Sequence, residues 1–215
     1  MFIVFEGIDG LGKTTQLTLL GEYLEGLGRQ VVKTREPGGT KLGADIREMV
    51  LRNREERSLL AESLLFAADR AQNLTQVIRP ALDMGKVVLA DRYFYSTLAY
   101  QGTSPDLFER MCIIHSAISE PQDQPDLVFL FDGPRGLYRK GASDLIEERP
   151  DNYFAGVRER YLSIARNPAR MLVDLGFEVV TKFIVIDAAG DGCTGKDVQS
   201  IHEGIVQSIR SARLI

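Results

Sequence analysis

Eight consecutive residues, Gly7-Ile8-Asp9-Gly10-Leu11-Gly12-Lys13-Thr14, have the spacing G-x-x-x-x-G-K-T of a loop that wraps a phosphate group. Gly7, Gly10 and Gly12 let backbone N–H groups curl close to an anion, and the N-terminus of a following helix adds partial positive charge. Lys13 is the residue that reaches the β and γ phosphates, and the Thr14 hydroxyl is the expected ligand for Mg²⁺. The expected phosphate grip therefore runs from Gly7 to Thr15 and takes in Ile8, Asp9 and Leu11. The plainer reading is a chance glycine-rich turn. It fits poorly, because an apolar run, Phe2-Ile3-Val4-Phe5, precedes the loop, and Leu17, Leu20, Leu24 and Leu27 follow at helical spacing until Gly28.

Three further clusters carry polar chemistry. Arg35-Glu36-Pro37-Gly38-Gly39-Thr40 follows a second β-rich run, and its turn would hold Arg35 and Glu36 at a strand end, where an arginine can clamp a second phosphate. Phe66 and Arg70 lie four apart on one helical face, a ring and a guanidinium suited to stacking on a base and hydrogen-bonding it. Asp91-Arg92-Tyr93 ends a third run, with Ser96, Thr97, Tyr100 and Gln101 opening the next helix; Asp91 sits where a carboxylate is wanted in a Mg²⁺ shell. Each has a plainer alternative. Phe66 alone would be core filling, and the arginines would be surface charges; Asp69, Tyr93 and Tyr95 read as structural, as do His115 and His202, which lack metal-ligand spacing.

The elements that must position these groups follow from periodicity. Strands are expected at 30–35, 86–91, 127–132 and 182–187 in addition to the first, each with a polar or acidic end. Helical patterns separate them: Leu42, Ile46, Met49 and Val50; Leu60, Leu64, Ala67 and Ala68; Met111, Ile114 and Ile118; Val198, Ile201, Ile205 and Ile209. Strands alternating with helices imply a three-layer α/β/α fold on a five-stranded parallel sheet, doubly wound, with ligands at the carboxyl ends of the strands. Arg35, Asp91, Arg92 and Asp132 fall at such ends. Residues 133–152 are rich in charge and turn formers and read as a short lid, although Glu147, Glu148, Arg149 and Asp151 equally suit a solvated charge run.

Composition sets the bounds. A chain of 215 residues suits one core, hence one domain over 1–215 with a mobile insertion. No apolar run approaches the roughly 18 residues of a membrane span. The N-terminus meets Glu6 too soon for a secretion signal, so a cytoplasmic protein is expected. Cys112 and Cys193 are too few and too far apart for a metal knuckle or a disulfide framework and read as packing residues. A net charge of −4 argues against nonspecific binding to nucleic acid.

In combination, the phosphate loop with Asp9, then Arg-Glu-Pro-Gly-Gly-Thr, then Phe-x-x-Asp-Arg, then Asp-Arg-Tyr-x-x-Ser-x-x-Ala-Tyr-Gln-Gly resembles the thymidylate kinase family, from residue 2 to about residue 187. The resemblance implies a P-loop kinase domain that moves a phosphoryl group from ATP to dTMP, giving ADP and dTDP for dTTP synthesis, as a Mg²⁺-dependent homodimer. It also implies roles. Phe66 would stack on thymine, Arg70 would bond its O4 edge, and Thr97 and Gln101 would lie near the base. Arg35 and Arg92 would hold the acceptor phosphate, Asp9 would bond the 3′-hydroxyl, and Tyr100 would crowd the 2′ position; Glu36 and Ser96 complete the dTMP set. Lys13 and Arg92 would act on the transferred group. Some members carry an arginine where this chain has Gly10, so the missing charge is expected from the lid, through Arg139 or Arg149. The family often has Asp-Arg where Leu145 follows Asp144, which is a departure, and residues 167–182 receive no function. The rival readings are a kinase for another nucleoside monophosphate or a deoxynucleoside, and a switch or partition-type ATPase; no Asn-Lys-x-Asp guanine-reading motif occurs.

Overall fold

The structure is a computed structural model and describes residues 1–135, 137, 144–167, 181–190 and 196–214. Five strands, β1 (Phe2–Glu6), β2 (Val31–Arg35), β3 (Val87–Asp91), β4 (Leu127–Asp132) and β5 (Lys182–Asp187), form one parallel sheet in the order β2-β3-β1-β4-β5. All five were expected, to within one residue at each end. Every residue of β1 is buried, and so are β3 and β4 up to their final aspartates. Because alternate side chains on a strand point to opposite faces, burial at every position means that helices cover both faces there. The edge strands β2 and β5 are mostly half-buried or exposed.

The helices of the described residues are α1 (Lys13–Gly26), α2 (Lys41–Arg52), α3 (Leu59–Asn73), α4 (Arg79–Asp83), α5 (Phe94–Gln101), α6 (Pro105–Ile118), α7 (Asp151–Arg166) and α8 (Val198–Ser211), with a π-turn at Leu74–Ile78 between α3 and α4. Helix α1 lies on β1, β2 and β3 beside α8, while α7 contacts β4, β5 and α5. The stop expected at Gly28 is real. Gly28 adopts φ 77°, and its N–H and that of Arg29 bond back to the carbonyls of Glu25 and Leu24, a Schellman ending that a left-handed glycine permits. Thr40, Ser58, Ser104 and Asp197 cap α2, α3, α6 and α8 with side-chain oxygens. No helix among the described residues is long and apolar enough to cross a membrane.

Two features depart from the periodic reading. Leu42, Met49 and Leu64 are about half exposed, and Ala68 is exposed as well. On α3 the buried positions are mainly polar, with Glu62, Ser63, Asp69, Arg70 and Asn73 enclosed beside Ala67. This helix turns its hydrogen-bonding face inward because its partners Glu36, Thr97 and Gln101 lie there. The second departure is α7, which begins at Asp151 inside the expected lid and buries Phe154, Val157, Tyr161 and Ile164.

Candidate active site

The glycine loop leaves the buried end of β1 and enters α1. Gly7, Gly10 and Gly12 hold φ values of 130°, 76° and 85°. At Gly7 the reason is also steric: a Cβ there would lie 2.4 Å from the main-chain oxygen of Phe131 on β4. Among the described residues no side chain caps the start of α1, so its first N–H groups remain for an anion. Lys13 is buried and donates to the carbonyl of Ile8 at 2.8 Å, folding back across the loop. Burial lowers the pKa of its ammonium, and the nearby Arg92 charge lowers it further.

Register places the chemistry of β3 beside that of β1. Phe5 pairs with Asp91, and Arg35 pairs with Asp91 from the other side. Asp91 Oδ2 accepts the Thr14 hydroxyl at 2.6 Å, so the two expected Mg²⁺ ligands meet. Among the described residues no group of three His, Cys, Asp or Glu gathers to hold a metal. One hydroxyl and one carboxylate suit Mg²⁺, which keeps several waters and takes its other ligands from substrate phosphates.

Arg92 follows at φ 73°, a left-handed conformation unusual for a side chain of this size. Its guanidinium donates to Asp9 at 2.6 Å, to Ser96 at 3.0 Å, to Tyr161 at 3.3 Å and to Tyr100 at 3.4 Å, and lies over the Tyr100 ring. Burial would raise the Asp9 carboxyl, yet the charges of Arg92 and Lys13 outweigh it and hold the group well below the usual carboxylate range. Tyr100 also donates to Asp9, at 3.2 Å.

Beneath this node sits Glu6, at 0% exposure, which the sequence reading uses only as evidence against a secretion signal. It accepts the backbone N–H groups of Tyr93 and Ser96 and the hydroxyls of Ser96 and Tyr161. Burial raises its pKa, opposed by Arg92 and these donors. One carboxylate thus fixes the start of α5 and the hydroxyl of α7 to the strand that carries the phosphate loop.

From Asp9 and Arg92 an open cleft runs between α2, α3 and α5. Phe66, Arg70, Ser96, Thr97, Tyr100, Gln101 and Glu36 line it, as expected for one ligand site. Pro37, Arg47, Leu51, Tyr93, Asp144 and Ile146 line it too, and were not anticipated. Arg70 Nε donates to Glu36 at 2.8 Å and Nη2 to Thr97 at 3.1 Å, with the guanidinium near the rings of Tyr93 and Phe94. Asn73 completes the support of Glu36. Burial pushes the Glu36 carboxyl up to about 8 against the pull of Arg70. Asp69, read as structural, accepts the N–H of Gly38 and so ties the turn to α3.

Not every expected residue joins the cavity wall. Arg35 is exposed at the end of β2, beside Gly38, and Arg47 occupies the nearer position, donating to the Pro37 carbonyl. Arg149, expected beside the transferred phosphoryl group, instead donates to Glu62 at 2.8 and 3.0 Å and to the Tyr153 hydroxyl at 2.6 Å. The cause is the buried Glu62 carboxylate, whose other partner is Gln101. Arg139 lies outside the described residues, as do Lys140, Cys193 and most of 167–182. Glu6, Arg47, Glu62 and Tyr161 gave no motif signal; for Tyr161 the spacing of Phe154, Val157, Tyr161 and Ile164 was the available clue.

The comparisons with known proteins identify the family and the fold. The thymidylate kinase family model matches residues 5–179. A thymidylate kinase of Sulfurihydrogenibium sp. is 37% identical over 218 residues, covering 100% of this chain and 98% of that protein. One from Leifsonia xyli subsp. xyli is 46% identical over 179 residues, covering 80% and 85% respectively. The crystal structure of thymidylate kinase from Ehrlichia chaffeensis superposes with a TM-score of 0.72 at 31% identity, covering 98% of both chains. With that family model over most of its length and these relatives, and with the loop, the Asp-Arg strand end and the cleft assembled at one end of the sheet, the chain belongs to the thymidylate kinase family.

Proposed function

We propose that the two halves of this site divide the reaction of the family between them. The reaction is transfer of the γ-phosphoryl group of ATP to dTMP, giving ADP and dTDP on the route to dTTP. The observation that carries the assignment is the contact of Asp9, inside the phosphate loop, with Arg92, on the wall of the cavity. Donor and acceptor phosphates held on either side of that pair face each other.

In this reading residues Gly7 to Thr15 hold the ATP phosphates, with Lys13 on the β and γ groups. Phe66 stacks on thymine; Arg70, Thr97 and Gln101 read its edge; Arg92, Arg35 and Ser96 hold the acceptor phosphate; Asp9 and Tyr100 contact the sugar; Glu36 orients Arg70. Thr14 and Asp91 hold Mg²⁺ with its water shell. When bound, the ion neutralises charge on the transferred phosphates.

The acceptor oxygen is already an anion, so no general base is required and the task is alignment against repulsion. Two like charges about 4 Å apart cost about 4 kcal/mol at an effective dielectric near 20. Lys13 and Arg92 offset that cost, and because Gly10 brings no side chain, Arg139 is proposed, from sequence, as a further contributor. The domain extends over 1–215 with its lid near 133–152. A cytoplasmic homodimer completes the proposal, supported by the half-exposed Leu42, Met49 and Leu64 on the paired helices α2 and α3.

The test is an acceptor panel with Mg²⁺-ATP. dTMP is expected to be phosphorylated fastest, with ATP turnover negligible when no monophosphate is added. Faster turnover of UMP or CMP would sink the base assignment, and acceptor-independent hydrolysis would favour the switch-type ATPase.

A further inference from the structure

Glu62 is 3% exposed, lies outside every motif, and joins two parts of the protein that sequence does not connect. From the cavity wall it accepts Gln101 Nε2 at 2.7 Å. From the segment after Asp144 it accepts Arg149 Nη2 at 2.8 and 3.0 Å. Arg149 is itself held by the Tyr153 hydroxyl, which in turn donates to the main-chain oxygen of Tyr100.

A carboxylate paired with arginine offers lone pairs and no proton. Gln101 must therefore turn its amide nitrogen toward Glu62, which leaves its carbonyl oxygen for the cavity. Among the described residues that Oε1 accepts no hydrogen bond. An acceptor there suits a base edge that presents a ring N–H, as thymine does at N3, and opposes cytosine, whose N3 is itself an acceptor.

We infer that Glu62 and Arg149 are positioning residues that fix the amide orientation of Gln101 and thereby set the choice of base. The inference rests on the reading of the cavity as a pyrimidine monophosphate site. It also accounts for Arg149 without placing it on a phosphate. The segment carrying Arg149 contributes Ile146 to the cavity and bonds through Leu145 N–H to the Leu51 carbonyl, so the same ion pair keeps that wall in place.

Glu62→Gln gives the sharpest test, because Arg149 would claim the new amide oxygen and leave its NH₂ to donate, which turns Gln101 around. Steady-state kinetics with dTMP and dCMP, alongside thermal melts, read the outcome. Discrimination for dTMP over dCMP is expected to fall at least about tenfold in Glu62→Gln and at least about threefold in Arg149→Met. The loss should lie in KM for dTMP, with kcat at saturating dTMP within about threefold of wild type. If Glu62→Gln does not fold, Arg149→Met decides alone. Unchanged discrimination in folded variants overturns the inference, as does a drop in kcat at unchanged KM in Arg149→Met. Failure of the wild-type protein to use dTMP overturns the underlying reading, and is seen in the first arm.

Discussion

Arg92 and Asp9 meet at 2.6 Å across the seam between β3 and the phosphate loop, although Arg92 must hold φ 73° to get there. The strained backbone turns the guanidinium inward, where it addresses Asp9, Ser96, Tyr161 and Tyr100 at once. A planar fork can do this and an ammonium cannot. Arg92→Lys is therefore expected to lower kcat/KM by about 100-fold or more, a loss of about 3 kcal/mol in transition-state stabilisation. Its melting temperature should change far less than its activity. An Arg92→Lys enzyme with near wild-type turnover would show that point charge alone suffices.

Thr14 and Asp91 share a short hydrogen bond, and both are proposed to face the same cation. Thr14→Val removes the hydroxyl and keeps the shape, whereas Thr14→Ser keeps the oxygen. Titrating activity with Mg²⁺ should give a half-saturating concentration raised about tenfold or more for Thr14→Val and for Asp91→Asn. Thr14→Ser should stay close to wild type. Identical Mg²⁺ curves for all four proteins would remove these residues from the metal site.

The glycines differ in what they do. Gly7→Ala combines a φ of 130° with a Cβ placed 2.4 Å from a backbone oxygen, so a loss of about 3 kcal/mol or more is expected in denaturant unfolding. Gly26, at the end of α1, has nothing within 4 Å of an added Cβ. Gly26→Ala should be neutral or stabilise by up to about 1 kcal/mol. A tolerated Gly7→Ala would mean that the loop has room to retreat from β4.

Glu36 offers a prediction in pH. Its carboxyl is raised by burial from 4.5 to about 8, so between those values the unfolded chain has already lost a proton that the folded chain keeps. Stability then falls as pH rises through that window, by an amount on the order of a few kcal/mol. Glu36→Gln, which cannot ionise, should lack this component of the slope. Parallel stability–pH curves for the two proteins between pH 5 and 8, on the order of the unfolded and folded values, would refute it.

How much of this was legible beforehand depended on distance along the chain. The loop from Gly7 to Thr15 is a local device: strand, glycines and helix are contiguous, so spacing suffices to find it. The carboxyl ends of the strands were equally readable, because parallel topology puts Arg35, Asp91 and Asp132 on one edge whatever their separation. Glu6, Glu62 and Tyr161 resisted for the opposite reason. Their partners lie about 90, 39 and 155 residues away, and a single buried carboxylate has no periodicity. On α3 hydrophobic spacing misled outright: Leu64 faces outward because the inward face is paid in hydrogen bonds to Glu36, Gln101 and Thr97. Arg149 was read by charge alone, and its destination is set by an acceptor that only the fold brings near.

Glu6 and Gly7 are neighbours by one peptide bond, the first gripping α5 and α7, the second opening the loop. In the proposed reading both halves of the reaction thus hang from the central strand. On that reading the phosphate loop and the Asp9–Arg92 contact are both referred to β1, so a change in length at this junction would alter the separation of the two phosphates directly.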